Sequence, residues 1–461
     1  MNDKHNFRPY DPDQTMLMPP SLRDWLCEDH LAYFVRETVE ELDLSAILDT
    51  YDSSKGGCPA YNAVMMTQLL VYGYCVGVRS SRKIERATHE SVPFRVLSAN
   101  QHPDHDTIAA FRRRHAVALA GLFEQILELC RERGMVKLGH VAIDGTKVRA
   151  NASKHKAMSY GRMKKKRAQL KQEIREYLDG ADAVDANEDA RYGKGKRGDE
   201  LPEELRRRET RLKKIEEAMK VLEERAKKEA DEKRAAIAEK EKQKRDDDEK
   251  PRGGQAAKEP SDEPEDKAQY NFTDPPSRIM KDGATKSFEQ SYNAQAAADT
   301  AHQVIVAADV TQQANDKKQA VPMVEQIEEN TGRNPDKASM DSGYFSAANV
   351  ETLEKREIDL YIATGRQKHD EPPPTAPRGR IPKTATVKER MQRKLRTVKG
   401  RATYAKRKTT IEPVFGQIKE ARGFRRFLLR GIDAVRDEWK LICLTHNILK
   451  LFRSGRAFGG G

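Results

Sequence analysis

The spacing of apolar positions divides the chain into a helical beginning, a charged middle and a mixed remainder. From Leu31 apolar residues recur at helical intervals, after a Pro-rich, polar lead-in over 1–25. Residues 61–78 are apolar almost all round, which predicts a helix buried inside a small bundle. A Gly-containing break at 55–59 separates it from the first helical group. In SSRKIERATHE (80–90) only Ile84 and Ala87 face inward, so a short polar helix is expected. Pro103-Asp104-His105-Asp106-Thr107 then offers N-caps for one long helix reaching about Gly134.

The next stretch, 137–150, has β-rich runs on either side of Asp144-Gly145. That pair is a strong hairpin-turn signal; the alternative keeps Asp144 on a strand with its carboxylate directed at a site. Residues 156–265 abandon globular patterning. Met163, Leu170, Ile174 and Leu178 line one helix, and Leu212, Ile215, Met219, Leu222 and Ala226 line a second, with a Gly/Asp-rich loop at 179–202 between them. A helical hairpin or coiled coil is expected, serving either oligomerisation or as a solvated spacer. From about Lys242 to Asp266 the charge-dense tract is expected to be disordered.

Strand patterns resume at Ser287 with SFEQSYNAQAAAD and QVIVAADV. An amphipathic helix follows at 317–332, then a strand ending in ASMDSGYF, a helix at 346–357 and the strand DLYIATG. A Pro-rich loop (371–382), a basic helix and a closing apolar-faced helix at 432–452 complete the chain, with His446 a packing residue and a glycine tail behind it. Without the charged middle, the order is three strands, then helix, strand, helix, strand, helix. It predicts an α/β fold with a mixed sheet covered by helices, the first strand beside the fourth. Asp144 then lies on the first strand and Asp341 at the carboxyl end of the fourth, where α/β sites form. Asp309, ending QVIVAADV, competes for that second position.

TTIEPVFGQIKEARGFRRFLLR (409–430) places Glu412 and Lys419 seven residues apart, nearly on one helix face, ahead of Arg422, Arg425, Arg426 and Arg430. Thr409 to Glu412 reads equally as a capping box, with Pro413 tolerated near the helix start.

Composition adds partners. Lys and Arg number 85 against 73 Asp and Glu, a net charge of +12, which favours a polyanion such as nucleic acid over a mildly basic surface without one. The helices around 80–115 fit a helix-turn-helix reader with Arg112, Arg113 and Arg114 toward phosphates, or an ordinary bundle; His105 and His115 read as surface residues. Five scattered cysteines fit free thiols in a reducing cytoplasm and no zinc site. No apolar run is long enough to span a bilayer. Converging Asp144, Asp341 and Glu412 would repel one another unless Mg²⁺ or Mn²⁺ neutralised them. Two such ions support in-line phosphodiester displacement, with Lys419 on the phosphate.

IDGTKVRAN, MDSGYF and TIEPVFGQIKEARGFRRFLLRG together resemble the DDE transposases of bacterial insertion sequences. The likeness is to the group holding insertion-sequence families four, five and 1182, and is greatest to family 1182. It spans nearly the whole chain and implies four parts: a helical DNA-binding domain (1–135), a ribonuclease-H-like catalytic domain (136–155 and 267–430), a helical insertion (156–266) and a C-terminal helix and tail (431–461). It implies Asp144, Asp341 and Glu412 as the acids that hold two Mg²⁺ or Mn²⁺ ions, the D-x-G-Y motif choosing Asp341 over Asp309. In the family's Y-x2-R-x3-E-x6-K signature, Tyr404, Arg407, Glu412 and Lys419 match, with Lys408 at the family's spacing from the Glu and Arg407 one residue earlier. Tyr404, Arg407, Lys419 and Arg422 are then expected on DNA phosphate. The implied activity is binding of terminal inverted repeats, cleavage and strand transfer on double-stranded DNA, by a homodimer in the DNA complex. A nuclease without strand transfer and a non-catalytic basic coiled-coil DNA-binding protein are the alternatives.

Overall fold

Seven helices open the chain: α1 (Leu31–Glu41), α2 (Ser45–Leu48), α3 (Ala63–Cys75), α4 (Ser81–Glu90), α5 (Val92–Leu97), α6 (His105–Arg114) and α7 (Ala116–Glu132). They are seen in a computed structural model that describes residues 21–51, 60–192, 203–246, 259–282, 286–365, 375, 379–382 and 384–455. The expected lead-in over 1–20, the break at 55–59, residues 247–258 of the charged tract, most of the Pro-rich loop and the glycine tail lie outside the described residues.

Every residue of α3 except Val64 is buried, as its all-round apolar pattern requires. Along α4 the buried residues are Ser81, Ile84 and Thr88, a stripe three and four residues apart. Asp104 caps α6 by accepting from the Asp106 and Thr107 amides, both at 2.9 Å. The single long helix expected to Gly134 is broken at His115, whose backbone leaves helical geometry (φ −106°, ψ 18°). The ring there packs between Phe111 and Tyr51, and this turns the chain from Arg-rich α6 into apolar α7.

Eight strands follow: β1 (Val141–Arg149), β2 (Ala157–Ser159), β3 (Gln269–Asn271), β4 (Arg278–Lys281), β5 (Phe288–Asp299), β6 (Ile305–Thr311), β7 (Lys337–Met340) and β8 (Asp359–Ile362). The main sheet has the order β6, β5, β1, β7, β8, with β4 beside the early half of β5. β5 and β6 are antiparallel, while β1, β7 and β8 run parallel. The first strand therefore lies beside β7, the fourth of the strands expected from the sequence, with β4 an additional strand in the mixed sheet. β1 passes unbroken through Asp144-Gly145, which overturns the hairpin-turn reading. Pairing in the sheet, with β7 up to Ile143 and with β5 on the other edge of β1, keeps the strand extended, and tertiary pairing outweighs a two-residue turn preference.

The remaining helices of the chain are α8 (Tyr160–Tyr192), α9 (Glu203–Asp246), α10 (Ala320–Thr331), α11 (Ala347–Glu354), α12 (Val387–Arg396), α13 (Val398–Gly416) and α14 (Ile432–Arg453). The chain forms two compact units. One comprises residues 1–148, 293–311 and 315–461. Within it α14 packs against α3, α7 and β6, burying Val435, Trp439 and Ile442, and Trp439 Nε1 donates to the Gln295 carbonyl at 2.8 Å. The helical segment expected as a separate domain at 1–135 and the tail helix expected at 431–461 thus share one core with the sheet.

The other unit, 149–292 with 312–314, contains α8 and α9. Tyr160, Met163 and Leu170 share an apolar core with Ile215, Ala218, Met219 and Leu222. Tyr160 meets Glu223 (2.6 Å), Lys171 meets Glu216 (2.9 Å) and Arg208 meets Glu173 (3.8 Å), so the two helices run antiparallel as a hairpin. α8 continues to Tyr192 through the first part of the expected loop, because its Ala-rich run favours helix despite the Gly and Asp residues. The rest of that loop, 193–202, lies outside the described residues. The end of the tract expected to be disordered is held: Asp266 and Ala268 carbonyls accept from the Gly161 and Tyr160 amides at 3.1 and 2.8 Å.

Candidate active site

Parallel pairing of β1 with β7 sets Ile143 opposite Met340, so the next residue on each strand is an acid, Asp144 and Asp341. Asp144 Oδ2 accepts from Arg407 Nη1 at 2.6 Å and Oδ1 accepts from the Gly145 amide at 2.8 Å. Asp341 caps a 3₁₀ turn, taking the Gly343 amide at 2.8 Å. Burial pushes the Asp144 carboxyl up to about 6; Arg407 opposes this, and Asp341 and Asp316 add repulsion. Burial also raises Asp341, again with Asp316 adding repulsion. Burial would lower Arg407, but Asp144, Tyr404 and Asp341 outweigh it and hold the guanidinium above its ordinary value. The result is a carboxylate pair already short of positive charge and partly neutralised by one arginine.

Arg407 comes from α13, which begins at Val398 behind the Thr397 cap. Thr409 is therefore mid-helix, and the capping-box reading is overturned. Pro413 sits inside the helix and has no N–H for the Thr409 carbonyl four residues back. Gln303 Nε2 supplies the missing donor at 2.9 Å, which lets the helix continue. Arg407 is buried and faces Asp144, whereas Lys408 is exposed, so Arg407 is the base that meets the first acid. Its guanidinium lies 5.7 Å from the Tyr404 ring centroid.

Glu412 is one residue beyond buried Ile411 and faces solvent. Directly after Gly416 the helix widens into a π-helical turn, Gln417–Ala421. Such turns recur at functional sites. Lys419 on this turn donates to Thr146 Oγ1 and to the Lys147 carbonyl, both at 3.1 Å. The fold therefore unites Asp144, Asp341, Arg407, Tyr404 and Lys419, and leaves Glu412 on the outer side of α13. Among the described residues no three acids, histidines or cysteines lie together as a metal-ion group.

The expected phosphate-binding arginines separate into two kinds. Arg112 is buried and donates to the Arg79 carbonyl at 2.9 Å and Ser81 Oγ at 3.4 Å. Arg422 is buried, donates to Thr445 Oγ1 at 2.7 Å and to the Ile442 and Tyr74 carbonyls, and packs on Phe424. Both are committed to holding helices together, so neither stands where a DNA strand could reach it. Arg113 and Arg114 are exposed, Arg114 lying over the Tyr51 ring. Asp309 pairs with Arg436 at 2.6 Å, away from the two acids' network. His446 bonds Gln417 and the Gln303 carbonyl, the packing role expected of it.

Sequence reading missed Lys147, Asn293, Gln295 and Asp316. Asp316 Oδ1 accepts from Asn293 Nδ2 at 2.6 Å and Gln295 Nε2 at 2.7 Å, and stands 3.9 Å from Lys147 Nζ. Tyr344 of the D-x-G-Y motif donates to Gln295 Oε1 and so fixes that amide. A signal was present in β5: Asn293 and Gln295 are alternate, fully buried polar residues among Tyr292, Ala294 and Ala296.

Two partly buried carboxylates at adjacent strand ends, a guanidinium on one of them and a lysine beside the same strand thus form one cluster. Residues 262–448 match a family model described as a transposase DDE domain, and residues 20–114 match one described as Transposase domain (DUF772). No curated protein and no solved structure matches the chain. The two matches indicate a transposase, an enzyme acting on DNA, of the DDE type found in insertion-sequence families four, five and 1182. Asp341, Arg407, Glu412 and Lys419 fall inside the first match and Arg112–Arg114 inside the second, whereas Asp144 lies in neither.

Proposed function

We propose that the chain binds the terminal inverted repeats of its own insertion sequence and catalyses metal-dependent DNA cleavage and strand transfer, on a ribonuclease-H-like sheet and most like family 1182. The observation that carries this reading is the Asp144–Asp341 pair, two partly buried hard oxygen donors, one on β1 and one just past the end of the parallel neighbour β7, with the first pushed up to about 6 by burial and like charge. Such a pair fits Mg²⁺ or Mn²⁺, because a divalent cation relieves the repulsion that burial has intensified. A bound ion would supply the Lewis-acid charge for displacement at phosphorus. Glu412 joins as third acid on the strength of its signature spacing to Lys419. Arg407 orients Asp144 and Lys419 stands at the rim to hold a phosphate, while exposed Arg113 and Arg114 follow the DNA backbone. Two copies acting together at paired ends, in the bacterial cytoplasm, complete the reading.

The test uses labelled duplex carrying the DNA that flanks this gene. Asp144→Ala abolishes Mg²⁺-dependent cleavage and leaves duplex binding intact; undiminished cleavage removes Asp144 from the site. A joining assay with pre-cleaved ends then separates strand transfer from simple nuclease action, since a nuclease yields no joined product.

A further inference from the structure

Asp316 precedes the short turn into α10 and belongs to none of the three acid motifs. Yet both motif glycines lie against it, Gly145 also against Gln295 and Asn293 and Gly343 also against Asp341. A Cβ on Gly145 would lie 2.6 Å from Asp316 Oδ1, a distance that real Cβ contacts do not reach, and one on Gly343 would lie 3.3 Å from Oδ2. The Asp144-Gly145 and Asp341-Ser342-Gly343-Tyr344 segments thus leave room for this carboxylate, and Tyr344 braces the amide that holds it.

Side chains alternate across β1. Asp144 and Thr146 share the face that meets α13: Arg407 reaches the first and Lys419 the second. Gly145 and Lys147 occupy the other face, where Asp316 lies. The acid pair is therefore flanked by an ammonium on each side, Lys419 from a helix and Lys147 from the strand itself. Lys147 and Asp316 are about one-fifth exposed, 19% and 17%, open enough for a phosphate to approach and closed enough to fix the pair. Two amides already occupy Asp316 Oδ1, and Lys147 Nζ stands 3.9 Å from the same oxygen. The geometry of Asp316 suits orienting a cation better than ligating a metal.

We propose that Asp316 is a positioning residue that acts through Lys147, holding that ammonium beside the Asp144–Asp341 pair to receive a phosphate of the DNA strand being cut. The inference rests on the cleavage reading above and names a further contact within the same site.

The experiment measures single-turnover, Mg²⁺-dependent cleavage of duplex carrying the gene's flanking DNA. Asp316→Asn and Lys147→Gln each lower the rate roughly 10- to 100-fold, the range expected when a reacting group is misplaced by about an ångström. The double variant is no slower than the slower single one, because both remove one contact. Lys147→Arg recovers part of the rate. Cleavage that survives Lys147→Gln overturns the inference alone, as does a double variant whose losses multiply. An unmutated protein that does not cut overturns the cleavage reading and the inference with it. If Asp316→Asn melts early, the Lys147→Gln and Lys147→Arg pair decides: loss with Gln and recovery with Arg supports the contact, equal loss in both overturns it.

Discussion

At the scale of single residues, the protein stores charge where water cannot screen it. Arg407 is the main counter-charge to Asp144, so Arg407→Ala leaves two partly buried carboxylates beside each other. The expected result is a lower melting temperature in chelator and a larger rise on adding Mg²⁺ than the unmutated protein shows, read by thermal denaturation with and without the ion. His446 makes the opposite case. Burial lowers it from 6.5 to about 3, and its ring nitrogens are engaged with Gln417 and the Gln303 carbonyl. The folded state keeps it neutral while the unfolded chain takes up a proton below pH 6.5. Its contribution to stability is therefore complete above pH 6.5 and lost as pH falls toward 3, by up to about 1.4 kcal/mol per pH unit. Urea unfolding across that range should show this acid limb, flattened in His446→Gln.

At the scale of elements, backbone groups are satisfied by partners far along the chain. Glu438 on α14 accepts the Leu428 amide at 2.8 Å and the Leu429 amide at 2.9 Å, so it holds the turn that follows Arg425 and Arg426. Glu438→Ala would leave two amides and the nearby guanidinia of Arg112 and Arg79 without it, costing about 2–4 kcal/mol. An unchanged urea midpoint would contradict that. The same dependence on distant partners decides what the sequence disclosed. Asp144, Asp341 and the order of the strands were legible because motif and period-two pattern are local. The turn at Asp144-Gly145 and the cap at Thr409 were misread because flanking strands and Gln303 overrule the local preference. Asp316 was invisible because nothing beside it in sequence marks it; register alone brings it to Gly145 and Gly343. Arg112 and Arg422 misled because a cluster of arginines does not reveal which ones face inward.

At the scale of the molecule, a net charge of +12 is spread over a chain whose described helices include none long and apolar enough to cross a membrane. If duplex DNA is the partner, binding is salt-dependent through the accessible lysines and arginines, Arg113 among them, and not through buried Arg112. Arg113→Ala should weaken duplex binding a few-fold and reduce the slope of log affinity against log salt by about one, in titrations at several salt concentrations. Arg112→Ala should instead lower stability.

The α8–α9 hairpin lies between β1, which ends at Arg149, and β5, which begins at Phe288. A ribosome adding about 5–20 residues per second needs on the order of 10 s to cross that interval. Throughout it the nascent chain carries Asp144 on a strand with neither sheet neighbour yet made. The Asp144–Asp341–Arg407 cluster cannot form on a half-made chain, and a message cut short within the insertion yields a product with Asp144 and neither partner. The long helical detour thus acts as a delay in synthesis, keeping Asp144 apart from Asp341 and Arg407 until the hairpin has been made.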